Sequence, residues 1–156
     1  MREIMEANSP KMLYHGTIID NVDKIKKAGL IPSSGDLVRT MYGEYEEDGV
    51  EIPALVFARD ANGLKACASA IGWLIRKRYD ISPTDAYSAS AFQRYGALCV
   101  IREVDDFAHR GQDHESDYSD HPISVEAGDY YSENIIKVDK ILTGQRLVNF
   151  FAKHGI

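Results

Sequence analysis

Three kinds of residue in this chain carry usable chemistry: an early histidine, two late glutamates and two cysteines. The histidine stands in Met12-Leu13-Tyr14-His15-Gly16-Thr17, where apolar and aromatic residues run straight into an imidazole, a glycine and a hydroxyl. An imidazole at the mouth of a core strand can hold a ligand by hydrogen bonding. The glycine beside it lets a ligand approach the main chain, because there is no Cβ to clash. The glutamates are Glu126, in Ser124-Val125-Glu126, and Glu133, in Tyr131-Ser132-Glu133-Asn134-Ile135-Ile136. A carboxylate at such a position can stabilise positive charge developing on a sugar ring. Glu133 ranks ahead of Glu126, since Ile135, Ile136, Val138 and Ile141 after it fit a core strand.

Other chemistries are poorly supported. There is no Gly-rich phosphate loop, no dinucleotide fingerprint ahead of a helix and no His-Glu-x-x-His pattern. His109, His114 and His121 are interspersed with Asp113, Asp117 and Asp120, but their spacings match no standard ligand set, so no metal is expected. Cys67 and Cys99 sit among apolar neighbours. They read as small buried hydrophobes in a reducing compartment, neither a disulfide framework nor a nucleophile.

The elements that must position these groups follow from the pattern. A chain of 156 residues, 44% hydrophobic and 27% charged, is read as one domain able to build its own core. Residues 1–10 read as a flexible polar arm. A strand is predicted over residues 11–15, then a helix carrying Val22, Ile25 and Ala28, with Asp20 as N-cap and Gly29 at the C-terminus. Residues 31–53 form a long loop holding Arg39, Met41, Tyr42 and Tyr45, and a loop of that length is usually functional or disordered. Ala54-Leu55-Val56-Phe57-Ala58 reads as a buried strand. Asp60 caps the clearest helix, whose stripe is Leu64, Cys67, Ala68, Ile71, Leu74 and Ile75.

Residues 81–94 read as a loop with one short helix, and residues 96–104 as a strand. Beyond a second long polar loop, strands are predicted at residues 122–126 and 133–138, with a turn exposing Tyr130 and Tyr131 between them. Leu147, Val148, Phe150 and Phe151 close the chain in a helix. This order is an α+β pattern without the regular alternation of a doubly wound sheet.

Net charge is -6, which argues against a general nucleic-acid binder. Two clusters, Lys24, Lys26 and Lys27, and Arg76, Lys77 and Arg78, read as solvated helix faces. No apolar run approaches the roughly 18 residues of a membrane span, so no membrane partner is expected. The charged Met1-Arg2-Glu3-Ile4-Met5-Glu6 lacks a signal-peptide core, so a cytoplasmic location is expected; non-classical translocation would leave no trace.

Leu13-Tyr14-His15-Gly16-Thr17, followed by a short helix ending in Gly29-Leu30, resembles the opening of the ADP-ribosyltransferase fold. The resemblance is closest to the histidine-bearing branch that includes diphtheria toxin and the poly-ADP-ribose polymerases. Leu55-Val56-Phe57-Ala58-Arg59-Asp60 resembles that branch's second strand, and Gly96-Ala97-Leu98-Cys99-Val100 its next one. Tyr131-Ser132-Glu133-Asn134-Ile135-Ile136 is similar to the polymerase segment in which a glutamate opens a late strand. The likeness implies a split β-sandwich, two packed sheets with a cleft between them and helices outside. It also implies a mono-ADP-ribosyltransferase using NAD as co-substrate on an unidentified acceptor, a protein or a nucleic-acid end.

By the same resemblance His15 holds the adenosine ribose, Gly16 and Thr17 the nicotinamide side, and Val56 and Phe57 line the ring pocket. Glu133 is the catalytic acid, with Tyr130 and Tyr131 near the acceptor. Arg39, the lone arginine of its loop, is the candidate for the pyrophosphate. The branch sandwiches nicotinamide between two tyrosines. Here their positions are taken by Val56 and by Cys67 or Ala68, leaving Phe57, Trp73, Tyr42 or Tyr45 to supply an aromatic face. A non-catalytic module holding NAD, ADP-ribose or a protein is the alternative. A tRNA 2′-phosphotransferase, which shares the His-Gly-Thr motif, is a second alternative, and it predicts a basic groove near the cleft.

Overall fold

The structure, a computed structural model, describes residues 12–33, 54–109 and 129–156. The arm at residues 1–10, Arg39, Tyr42 and Tyr45 of the long loop, and the strand predicted over 122–126 with Glu126 lie outside the described residues. The fold is mixed α and β: an antiparallel sheet with helices flanking it. Among the described residues no helix is long and apolar enough to cross a membrane.

The first strand, β1, spans Leu13–Ile18 and so carries the His15-Gly16-Thr17 motif within its length rather than ending at it. A 3-10 turn leads to α1, Val22–Ala28, which stops where Gly29 takes φ +80°. Asp20 does not cap this helix. Its carboxylate is held instead by Tyr79 Oη and, at 2.9 Å, by Arg78 Nε, both at the far end of the next helix. Strand β2 spans Val56–Arg59. Asp60 then accepts a hydrogen bond from the Asn62 amide at 2.8 Å, opening the 3-10 turn that feeds α2, Leu64–Tyr79. The predicted stripe is the buried face of α2, with Ala70 and Gly72 added and Leu74 half-buried.

Where a loop and one helix were predicted, two short helices stand: α3, Pro83–Ala86, and α4, Ala89–Tyr95. Each begins on a serine whose hydroxyl accepts an amide hydrogen three residues on, Ser82 from Asp85 and Ser88 from Ala91. The remaining elements are β3, Gly96–Ile101, β4, Ala108–His109, β5, Asp129–Ser132, β6, Lys140–Thr143, and α5, Gly144–Lys153. The tyrosines expected in an exposed turn are strand residues. Tyr130 and Tyr131 are buried in β5, which is paired on both sides. Residues 133–138 are not a regular strand; Ile136 alone bridges to Leu30, and Ile135 is 62% exposed.

Among the described residues the six strands make one sheet, in the order β4-β5-β2-β1-β3-β6, rather than two stacked ones. On one face Tyr14, Leu98, Val100 and Leu142 pack against α2, α4 and α5 through Cys67, Ile71, Phe92, Leu147 and Phe151. On the other, Leu13, Val56, Ala58, Cys99 and Ile101 pack with Ile25, Leu30 and Ile136. Covered on both faces, β3 reads as an unbroken apolar run and is buried throughout.

Candidate functional site

The sheet is held unevenly. β1 pairs with β3 along its whole length, from Leu13↔Ile101 to Ile18↔Gly96, and β2 pairs with β5 from Val56↔Ser132 to Arg59↔Asp129. Between β1 and β2 the register contains one pair, Tyr14↔Arg59. Past Tyr14 the two halves of the sheet part.

His15 is the first residue beyond that junction. Its Nδ1–H donates to the Phe57 carbonyl at 2.6 Å, so a side chain ties the halves where the ladder does not. With the proton on Nδ1, Nε2 is the acceptor. The residue is partly buried. Desolvation pushes its pKa below the ordinary 6.5, the Arg59 charge adds to that, and the Phe57 hydrogen bond opposes it. The imidazole is therefore neutral at pH 7.

A cleft of about 590 Å³ opens at this split. Residues from both sides of the sheet line it, as a parting between strands requires. His15 and Gly16 stand at its apex, Val56, Phe57 and Arg59 along β2, and Trp73, Lys77 and Arg78 along α2. Its lining is mainly apolar, with Asn21 and Asp20 at the rim. Arg59 is 9% exposed, its guanidinium 5.9 Å from the Phe57 ring centre. Lys77 Nζ lies 5.5 Å from the Trp73 ring centre. A volume of this size falls in the range of small-molecule and cofactor sites, about 300–1,000 Å³.

Of the residues predicted from sequence, His15, Gly16, Val56 and Phe57 meet in this cleft. Thr17 stands behind it, 3% exposed, accepting from Asn21 Nδ2 at 3.0 Å and so holding a residue that does line it. Glu133 is exposed and follows Ser132, the partner of Val56, but does not itself line the cleft. Tyr130 and Tyr131, buried in β5, are likewise not among its lining residues.

Close packing against α2 requires a glycine at position 16. A Cβ there would lie 2.5 Å from the Cys67 carbonyl oxygen and 2.9 Å from Ile71 Cγ1. It is α2 that comes against this face of β1.

Sequence reasoning passed over Arg59, Lys77 and Arg78. The last two belong to a cluster read as a solvated face; what distinguishes them is that they follow Trp73 by four and five residues, on the stretch of α2 that borders the cleft. Cys67 and Cys99 are buried thiols, as expected, and burial pushes Cys99 up to about 12. Comparison of the chain with models of known protein families finds no match, and comparison with curated proteins finds none either.

Proposed function

We propose that this chain is a mono-ADP-ribosyltransferase, and that its parted sheet is the ADP-ribosyltransferase fold with NAD in the cleft. The observation that carries this reading is the junction itself: a single strand pair, then His15 and Gly16 at the apex of a cofactor-sized cleft. The neutral imidazole offers Nε2 to a ribose hydroxyl, while Nδ1 stays on Phe57. Among the described residues, the edge of β1 that faces β2 makes no ladder pair past Tyr14, which leaves main chain there for a carboxamide. Trp73 and Phe57 give aromatic surface in place of the family's tyrosines, and Arg59, Lys77 and Arg78 give charge for a pyrophosphate.

In the reaction, the bond between the nicotinamide nitrogen and ribose C1′ breaks and nicotinamide leaves with the electron pair. C1′ becomes oxocarbenium-like. A carboxylate beside it lowers the energy of that charge, and the acceptor nucleophile then bonds to C1′ and sheds its proton. Glu133 is assigned this carboxylate role through the resemblance. It directly follows Ser132, the last residue of β5 and the partner of Val56, which lines the cleft.

One observation favours the second reading, a module that holds NAD or ADP-ribose without turning it over: Glu133 is exposed and not part of the cleft lining. Nicotinamide release from NAD separates the two. The transferase reading expects steady release that falls about a hundredfold or more in Glu133→Gln. Thermal stabilisation by NAD with no release in the wild type would leave only the binding module.

A further inference from the structure

The C-terminal helix α5 has two unlike faces. Leu147 and Phe151 enter the core, whereas Arg146, Asn149, Phe150 and Lys153 follow one another at helical spacing along the other side. That side and the sheet edge opposite it enclose a groove of about 490 Å³, to which the sheet adds Arg102 and Lys140. Among the described residues four cations line it and no carboxylate does, in a chain whose net charge is -6. Among the described residues none of the four side chains is in an ion pair. Asp139, beside Lys140, accepts the Arg102 backbone amide at 2.7 Å.

Two further features favour an anion there. Arg146 stands in the first turn of α5, which has no acidic residue and no side-chain cap, so the helix dipole opposes the charge it carries. The groove also has an aromatic file of two rings, Tyr14 and Phe150, with centres 5.5 Å apart; His154, outside the lining, packs on Phe150 at 4.4 Å.

We propose that this groove binds single-stranded nucleic acid, with the cations on phosphates and the ring file against bases. Positive charge interleaved with aromatic rings is the combination such binding needs. An acidic peptide would use the charges and leave the rings unmatched. A bilayer surface is flat, while Tyr14 lies 6% exposed on the floor of a concavity. The groove meets β1 at Tyr14, before the junction, and the cleft meets it from His15 onward, so the proposal stands independently of the ADP-ribose reading.

The test is fluorescence anisotropy of labelled oligo(dT) and oligo(U), about ten nucleotides long, against the whole chain. Saturable binding is expected, weakening with salt at a log–log slope of about -3, the value for four phosphate contacts on a single strand. Reversing two charges in Arg146→Glu/Lys153→Glu should weaken binding at least roughly tenfold at low salt and flatten the slope by about half. The same reversal on α1, Lys26→Glu/Lys27→Glu, should change neither. Phe150→Leu, which keeps every charge, should weaken binding while leaving the salt slope as it was. Three results would overturn the proposal: no saturable binding at about 50 mM salt, equal losses in the α1 control, or displacement of the oligonucleotide by polyglutamate or anionic phospholipid vesicles at lower charge concentration. None of these measurements uses NAD, so failure here is distinguishable from failure of nicotinamide release.

Discussion

At the scale of single residues, His15 links structure and chemistry through its two nitrogens. Nδ1 is committed to Phe57, which fixes the tautomer and leaves Nε2 as an acceptor. Replacing His15 with Ala removes one such hydrogen bond, about 1 kcal/mol or roughly fivefold in the Kd for NAD, read by titration calorimetry. The pH dependence has a definite sign. Burial favours the neutral ring, so the folded pKa lies below 6.5, and between those two values the unfolded chain binds more protons. Stability from this group is therefore whole above pH 6.5 and is lost as pH falls through the lowered value. Denaturant titrations across that window should show the decline, and His15→Ala should show less of it. NAD affinity should fall in the same direction, because protonated Nε2 can no longer accept. His15 stood out in the sequence only through its place in Leu13-Tyr14-His15-Gly16-Thr17 and the segments that follow it, since a histidine near a strand end is ordinarily structural. Arg59 did not, since an arginine ending a strand is ordinarily solvated and here is nearly enclosed.

At the scale of elements, the contact between β1 and α2 sets the cleft's shape. Gly16 permits it: a methyl added there meets a backbone carbonyl that cannot rotate away. Gly16→Ala should cost about 1–3 kcal/mol by overpacking. At about 2–4 °C per kcal/mol for a chain of this length, a melting curve resolves the loss. The residue at Gly29 is constrained differently, by φ +80° and by the Ile136 carbonyl 2.6 Å from where a Cβ would stand. Gly29→Ala should loosen the Leu30↔Ile136 bridge that closes the cleft's other wall, seen as faster amide exchange at both residues.

Helices with a long apolar stripe, and β3 with its continuous apolar run, could be read directly because period and burial agree. The region after residue 128 could not. Two adjacent tyrosines look like turn ornament until a strand on each side buries them, and that pairing is non-local. Ile135 and Ile136 look like strand core, yet one of them faces solvent. The short helices α3 and α4 escaped notice because a four-residue or seven-residue helix is too short to display a period; their serine caps were the available signal.

At the scale of the molecule, the defining feature is a sheet whose middle, among the described residues, has one β1–β2 strand pair and an imidazole hydrogen-bonded across the parting. No residue pattern announces such a parting. The motif around His15 pointed to residues that line the cleft, but the cleft exists because β1 and β2 diverge after Tyr14, a property of register that the sequence does not display. The chain has a single tryptophan, Trp73, and it lines this cleft. Tryptophan emission, excited beyond the absorption of the nine tyrosines, is therefore a reporter of the site alone. Titrating NAD while following Trp73 emission, with absorbance corrected, tests the central claim most directly. The account predicts a saturable change whose midpoint moves roughly fivefold to higher NAD in His15→Ala, the equivalent of one hydrogen bond. Emission that stays constant to saturating NAD, or a midpoint indifferent to His15, would contradict it.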